Sequence, residues 1–367
     1  MESNQSGKIV KIVGSILGIV FLLISCATGR PVEKRPDKGP EKIIVQVESS
    51  ERVDVLVEKM RALEQSVSNL RSEVTALESR LKNIQARPPI TNYRLPTEVS
   101  LCGERIPLED KNVWENLDRE FLITLDNEAQ ILLLMKRARR YFPYIEKRLK
   151  EMGLPDDLKY VTITESSLRP YAVSSSGAAG IWQFIPSTGE KYGMRKNRVT
   201  DERFDFFKAT EGALAYLKSL YEDFRNWALA MAAYNAGENR VRKEIELQKT
   251  RNYFYLDLPM ETERYVYKIA VAKIILSDPK RYGFYLEEKE LYDPLQVERV
   301  QIELNQPLPI MDIARAIGFY YKEIKELNPH FSEETLPPGI RFLNLPPGTS
   351  EKFWNFFSTW KKEMGGK

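Results

Sequence analysis

Apolar residues follow three different rhythms along the chain. Between Leu56 and Ile84 the steps alternate four and three, through Met60, Leu63, Val67, Leu70, Val74, Leu77 and Leu81. This heptad puts Met60, Val67, Val74 and Leu81 at a, and Leu56, Leu63, Leu70, Leu77 and Ile84 at d. Valine at a with leucine at d favours a parallel dimer. A coiled coil is expected over 46–87, with a homodimer formed through 56–84; one amphipathic helix lying on the rest of the protein is the alternative. From about Glu109 to Phe284 the period is helical almost throughout, and few stretches alternate as strands do. The helices expected are one broken at Pro143 and resumed to Gly153, one over "LPDDLKYVTITESSL", one over "IWQFIPSTGEKYG", and further ones to "METERYVYKIAVAKIIL". Val300 to Leu345 reads strand, helix, helix, strand. Residues 351–367 read as a short aromatic helix docked on the protein.

One position breaks the helical stripe. Leu154, Leu158, Val161 and Leu168 share a face, and Glu165 falls on it, four after Val161 and three before Leu168. An unpaired buried carboxylate is costly. With no cation within a turn and no like charge expected beside it, desolvation should raise its pKa to around 6. It then serves either as a proton donor or as a structural acceptor for the "SSSGAAG" loop, and the helical pattern alone leaves both open. The neighbourhood favours chemistry. A Gly/Ser loop lets backbone approach a ligand closely. Tyr234 and Asn235 end an alanine-rich helix that Gly237 terminates, and Trp182 and Gln183 supply an aromatic plate and an amide. Acid, amides and aromatics together suggest a carbohydrate site.

Composition narrows the chemistry further. The 367 residues are 43% hydrophobic and 29% charged with a net charge of +3, which makes nucleic acid a poor partner. The single histidine, His330, reads as a loop residue, so a histidine triad or histidine-rich zinc site in the middle of the chain is excluded. No metal or cofactor is called for. Asp201, Glu202 and Asp205 read as surface caps of the next helix rather than as a second catalytic carboxylate.

The N-terminus reads as an address. Lys8 and Lys11 precede an apolar run of 14 residues, Ile12 to Ser25. That is short for a span of about 20 residues and suits a signal-peptide core. The run ends "LISC", which resembles a bacterial lipobox; this implies cleavage before Cys26 and lipid on its thiol. A short transmembrane anchor is the alternative. Ala27, rather than aspartate, after the cysteine favours the outer membrane over the inner. The organisation expected is a signal peptide 1–25, a tether 26–45, the coiled coil 46–87, a linker 88–108, a helical domain 109–290, a small α+β module 297–348 and a final helix 349–367. Cys102 would be the one remaining thiol, free to cross-link chains or stay buried.

"ESSLRPYAVSSSGAAGIWQFIP", "DERFD", "AYLKSL", "WALAMAAYNAGENRV" and "LPMETERYVYKIAVAKI" together resemble the catalytic domain of lytic transglycosylases of the soluble type, nearest to the membrane-bound D type of that family. The resemblance covers roughly 100–290. It implies a lysozyme-like helical fold and cleavage of the MurNAc–GlcNAc β-1,4 bond of peptidoglycan, leaving a 1,6-anhydro-MurNAc end. Carried over by position, Glu165 is the one catalytic carboxylate, and Ser174, Gln183, Tyr234, Asn235 and Tyr265 line the cleft. Ile185 departs from a methionine common in relatives. Residues 300–345 resemble a LysM-type glycan-binding module with its usual "GDTL" turn replaced by "NQPLP". A non-catalytic peptidoglycan-binding scaffold and a lysozyme-type hydrolase are the alternatives in function.

Overall fold

The computed structural model describes residues 50–85 and 90–365. The expected leader, Cys26 and the tether lie outside the described residues. The chain divides into two units, Met1–Glu73 and Val74–Lys367. In the first, the described residues belong to helix α1 (Ser50–Gln85), where Leu56, Met60, Leu63, Val67 and Leu70 are exposed. Val74, Leu77 and Leu81, further along the same helix, are exposed as well.

The second unit uses much of the segment expected as linker. Strands β1 (Val99–Leu101) and β2 (Glu104–Ile106) pair antiparallel around Cys102 and Gly103, both left-handed, the tight turn a hairpin requires. Val99, Leu101 and Ile106 are buried. Cys102 is buried too; burial and the nearby Asp157 push its thiol far above the usual range, which makes it inert. Asp110 then caps helix α2 (Lys111–Asp126) through the N–H groups of Asn112 and Val113. Helix α3 (Glu128–Glu151) runs straight through Pro143 instead of breaking there. A proline inside a helix costs about 3 kcal/mol, but Tyr141, Phe142, Ile145 and Leu149 on either side are buried and hold the helix together.

The expected helix from Leu154 to Leu168 is two shorter pieces, a 3-10 turn Asp156–Tyr160 and helix α4 (Val161–Ser166). Only the second half of "IWQFIPSTGEKYG" is helical, as α5 (Pro186–Lys191). Helices α6 (Phe206–Phe224), α7 (Trp227–Ala236), α8 (Glu238–Gln248) and α9 (Met260–Ser277) follow. Every residue of α7 from Trp227 to Ala233 is buried, four of them alanine. A helix apolar all round belongs at the centre, and small side chains let α6 and α9 pack closely on it. Glu104 in β2 accepts from the backbone N–H of Trp227 at 2.8 Å, so the hairpin caps this central helix.

The C-terminal module has the expected order. Strand β3 (Glu298–Leu304) pairs antiparallel with β6 (Gly339–Leu345), from Glu298 opposite Leu345 to Leu304 opposite Gly339. Between them lie β4 (Leu308–Pro309), α10 (Ile310–Ile317), α11 (Tyr321–Leu327) and β5 (Thr335–Leu336). Helix α12 (Ser350–Gly365) lays Phe353, Phe357 and Trp360 into the same core as Ile313 and Ile317.

This module is docked on the helical domain by an ion pair whose carboxylate is buried. Arg299 of β3 donates to both oxygens of Asp205, at 2.9 and 2.7 Å, while Asp205 also caps α6. Burial pushes the Asp205 carboxyl up, but Arg299 outweighs it and holds the pKa below the usual range. The guanidinium lies between the rings of Phe207 and Phe342. Beside it, the carbonyl of His330 accepts from Asp201 N–H at 2.9 Å and Ser332 N–H donates to Val199 O at 3.0 Å. His330 is thus a loop residue, but a buried one. Arg299→Ala should strand a buried carboxylate and lower unfolding free energy by roughly 3 kcal/mol, read as a lower urea midpoint; Arg299→Lys, lacking the fork, should recover only part.

Candidate active site

Glu165 sits in the last turn of α4, and the helix stops immediately after it. Ser167 and Leu168 are both left-handed (φ 54° and 57°), which costs about 1 kcal/mol or more for each non-glycine residue. Tertiary contacts hold the turn. Leu168 is fully buried, Arg137 donates to Ser167 O at 3.1 Å, and Ser166 Oγ donates to Ile181 O at 2.8 Å. Leu168 reaches the core through this turn, not along the helix stripe.

A cleft of about 530 Å³ brings together Glu165, Ser174, Gln183, Tyr234, Asn235 and Tyr265. Their side chains are already engaged. The Tyr265 hydroxyl donates to Glu165 Oε1. Tyr234 donates to Trp182 O at 2.8 Å. Asn235 Oδ1 accepts from the Thr262 hydroxyl at 2.8 Å, joining α7 to α9. Ser174 Oγ accepts from Ala178 N–H at 3.0 Å and pairs with Ser176. Gln183 has left-handed backbone (φ 51°), and its amide donates to the carbonyls of Gly180 and Ala172. Trp182 is no aromatic plate: it is fully buried and donates to Thr210 Oγ1. The aromatic floor is instead Phe184, Tyr216 and Tyr234.

Electrostatics favour a protonated acid. Burial pushes Glu165 up to about 7; the Tyr265 hydrogen bond pulls the other way, and Glu261 adds a further upward push. Desolvation therefore dominates as expected, but a like charge stands nearby as well. Burial also keeps the phenols of Tyr265 and Tyr234 protonated. One carboxyl that holds its proton near neutrality, with a fixed donor ready for its ionised form, can give a proton and take one back.

The loop carrying Ser174 is fixed from outside the cleft. Arg203, buried and held by both oxygens of Asp201, donates through one nitrogen to Gly177 O and Phe184 O, each at 2.7 Å. Gly180 packs so tightly there that a Cβ would meet Arg203 O at 2.1 Å. Asp201 and Asp205 are buried, not on the surface as expected, and with Glu202 they are committed to Arg203, Lys208 and Arg299 as caps and ion partners. A second cavity of about 500 Å³ shares no lining residue with the cleft; its one carboxylate, Glu104, is occupied with Asn226 and Trp227.

Residues 142–256 match the family described as Transglycosylase SLT domain. Over this segment the chain is similar to a transglycosylase SLT domain. It is 35% identical over 228 residues to membrane-bound lytic murein transglycosylase D of Escherichia coli (strain K12), covering 60% of this chain and 50% of that protein. It is 32% identical over 133 residues to membrane-bound lytic murein transglycosylase C of Serratia proteamaculans (strain 568), covering 32% of this chain and 37% of the relative. The chain thus spans about half the length, or less, of these curated relatives. Among solved structures, the 70 kDa soluble lytic transglycosylase of Escherichia coli aligns with a TM-score of 0.33 at 16% identity, over 65% of this chain and 47% of that one.

The matched SLT segment holds Glu165, Ser174, Gln183, Tyr234 and Asn235, while Tyr265, which binds Glu165, lies beyond it on α9. Sequence reasoning missed Glu261, Thr262 and Lys268 on that same helix. The signal was available: Glu261 and Lys268 lie four before and three after Tyr265, on its face.

Because the folded pKa of Glu165 is raised, its contribution to stability is full below about pH 4.5 and is lost as pH rises through about 7. Glu165→Gln removes the charge and keeps the shape. At pH 8 it should be as stable as the parent or more so, by at most about 3 kcal/mol; at pH 4 the two should match. Urea midpoints at both pH values measure this, and a loss above about 1 kcal/mol at pH 8 would mark the carboxylate as structural.

Proposed function

We propose that this chain is a peptidoglycan lytic transglycosylase with Glu165 as its single general acid and base. The observation that carries the reading is an enclosed glutamate, raised to about 7 and hydrogen-bonded to Tyr265, in a polar cleft of an SLT domain. Glu165 protonates the glycosidic oxygen leaving C1 of MurNAc, while the sugar's own 2-acetamido oxygen attacks C1 and takes the place of a carboxylate nucleophile. Glu165, now ionised and held by Tyr265, removes the proton from the C6 hydroxyl. That oxygen closes on C1, the acetamide is released, and the product carries a 1,6-anhydro-MurNAc end with no water consumed. Ser174, Gln183, Tyr234 and Asn235 hold the loop and helix ends that shape the subsites.

A hydrolase of the same bond is the second reading, favoured by Glu261, a second carboxylate in the cleft wall. Mass spectrometry of products released from sacculi separates the two: anhydro ends support the transglycosylase, reducing MurNAc ends the hydrolase. Glu165→Gln should lower turnover at least 100-fold. Parental activity should fall as pH rises through about 7, since the acid must start protonated.

The wider assignment completes the proposal. Lipid on Cys26 holds the protein at the cell envelope, facing the periplasm, at the outer membrane rather than the inner. The seam 56–84, exposed from Leu56 to Leu81, pairs with a second copy, and the LysM-like module binds glycan. Cys26→Ala should move the full chain from the membrane to the soluble fraction of fractionated cells; retention in the membrane would point to a spanning anchor.

A further inference from the structure

Proton transfer uses Glu165 and Tyr265, and the loop contacts account for Ser174 and Gln183, but one charged group in the cleft wall has no task. Helix α9 shows Glu261, Tyr265 and Lys268 to the cleft, at spacings of four and three on one face. Seven residues of helix put about 10 Å between the two ends of this row. Tyr265, in the middle, holds Glu165. Opposite charges therefore flank the proton-transfer centre along the helix axis.

Lys268 is half-buried and is the only cation among the lining residues. The other two cations of α9 are paired: Arg264 with Glu120 at 2.7 Å, and Lys273 with Asp157 at 2.8 Å. The Lys268 side chain has no hydrogen bond or ion pair among the described residues. Glu261 is too distant along the helix, and Glu165 holds its proton up to about pH 7. An ammonium that lines a cleft without a partner in the wall is placed to make a charge-assisted hydrogen bond to an anionic group of the ligand.

We propose that Lys268 binds a carboxylate on the acidic arm of the sugar strand, an inference that rests on the transglycosylase reading. A strand of alternating GlcNAc and MurNAc carries such a group at every second sugar. It is the lactyl carboxylate where the strand is bare, or a carboxylate of the peptide where one is amide-linked there. A neutral polymer of N-acetylglucosamine has none. Lys268 thus sets the preference for acidic over neutral strands and fixes the register, because the ammonium meets its anion only when MurNAc occupies one particular position beside Glu165.

The test uses the full chain with Lys268→Met and Lys268→Arg. The substrates are peptide-bearing strands, the same strands stripped of peptide at the lactyl amide, and N-acetylglucosamine oligomers. Lys268→Met should raise KM roughly ten-fold on a carboxylate-bearing strand, the size expected for one charge-assisted hydrogen bond, with kcat little changed. Lys268→Arg should recover most of the loss. A loss confined to stripped strands assigns the lactyl carboxylate; one confined to peptide-bearing strands assigns the peptide. Unchanged KM on both, an equal loss on the neutral oligomer, or a fall in kcat alone overturns the proposal. Retention of the soluble strands by Glu165→Gln, with and without Lys268→Met, reads the same contact without turnover. A parent enzyme that binds through Lys268 but releases no anhydro ends would therefore sink the transglycosylase reading and not this one.

Discussion

The hydroxyl of Tyr265 on one carboxyl oxygen of Glu165 is the contact around which the molecule is arranged. It joins a residue at the end of a two-turn helix to one on a long helix 100 residues later in the chain. Helix α4 packs directly on α9, and α9 packs closely in turn on the central helix α7. Its alanines at 228, 230, 232 and 233 allow this. The same close packing removes water from the carboxyl, and desolvation is the largest influence on Glu165. Helix packing and the environment of the carboxyl are therefore one constraint: loosening α9 would admit water to Glu165 and misplace its donor together.

A second layer holds the cleft from behind. Arg203 fixes two carbonyls of the loop carrying Ser174 and the turn carrying Gln183. The same short segment carries Asp205, which receives Arg299 from the C-terminal module. The module also bonds backbone to backbone with Val199 and Asp201. It is therefore more than an appendage. Its attachment reaches the loop carrying Ser174 through a few residues of chain, and the buried charges on that path are paired. This is the condition under which buried ions hold a geometry instead of opposing it.

Several elements were legible in the chain because they obey local rules. The heptad of 56–84 is helical, the order strand, helix, helix, strand of 300–345 is present, and Asp205 caps the next helix. Others were not legible, because tertiary packing overrides local preference. Pro143 passes inside a helix flanked by buried aromatics. The segment before Glu109 is a hairpin capping the central helix, not a spacer. Trp182 looked like a sugar platform by its neighbours in sequence, yet the left-handed turn at Gln183 sends it into the core.

What the sequence by itself determined is a carboxylate, Glu165, at a core-facing position in a chain with hardly a histidine; its pattern left proton donor and structural acceptor both open. What only the tertiary structure decided is the company Glu165 keeps. Tyr265, Glu261 and Lys268 lie about a hundred residues away, and no periodicity within either helix encodes the register between them. That register is set by the direct packing of α4 on α9 in the folded chain. Coulomb interactions and desolvation depend on those distances, so the value near 7, the donor on the carboxyl and the unpaired ammonium beside it appear only once the chain is folded.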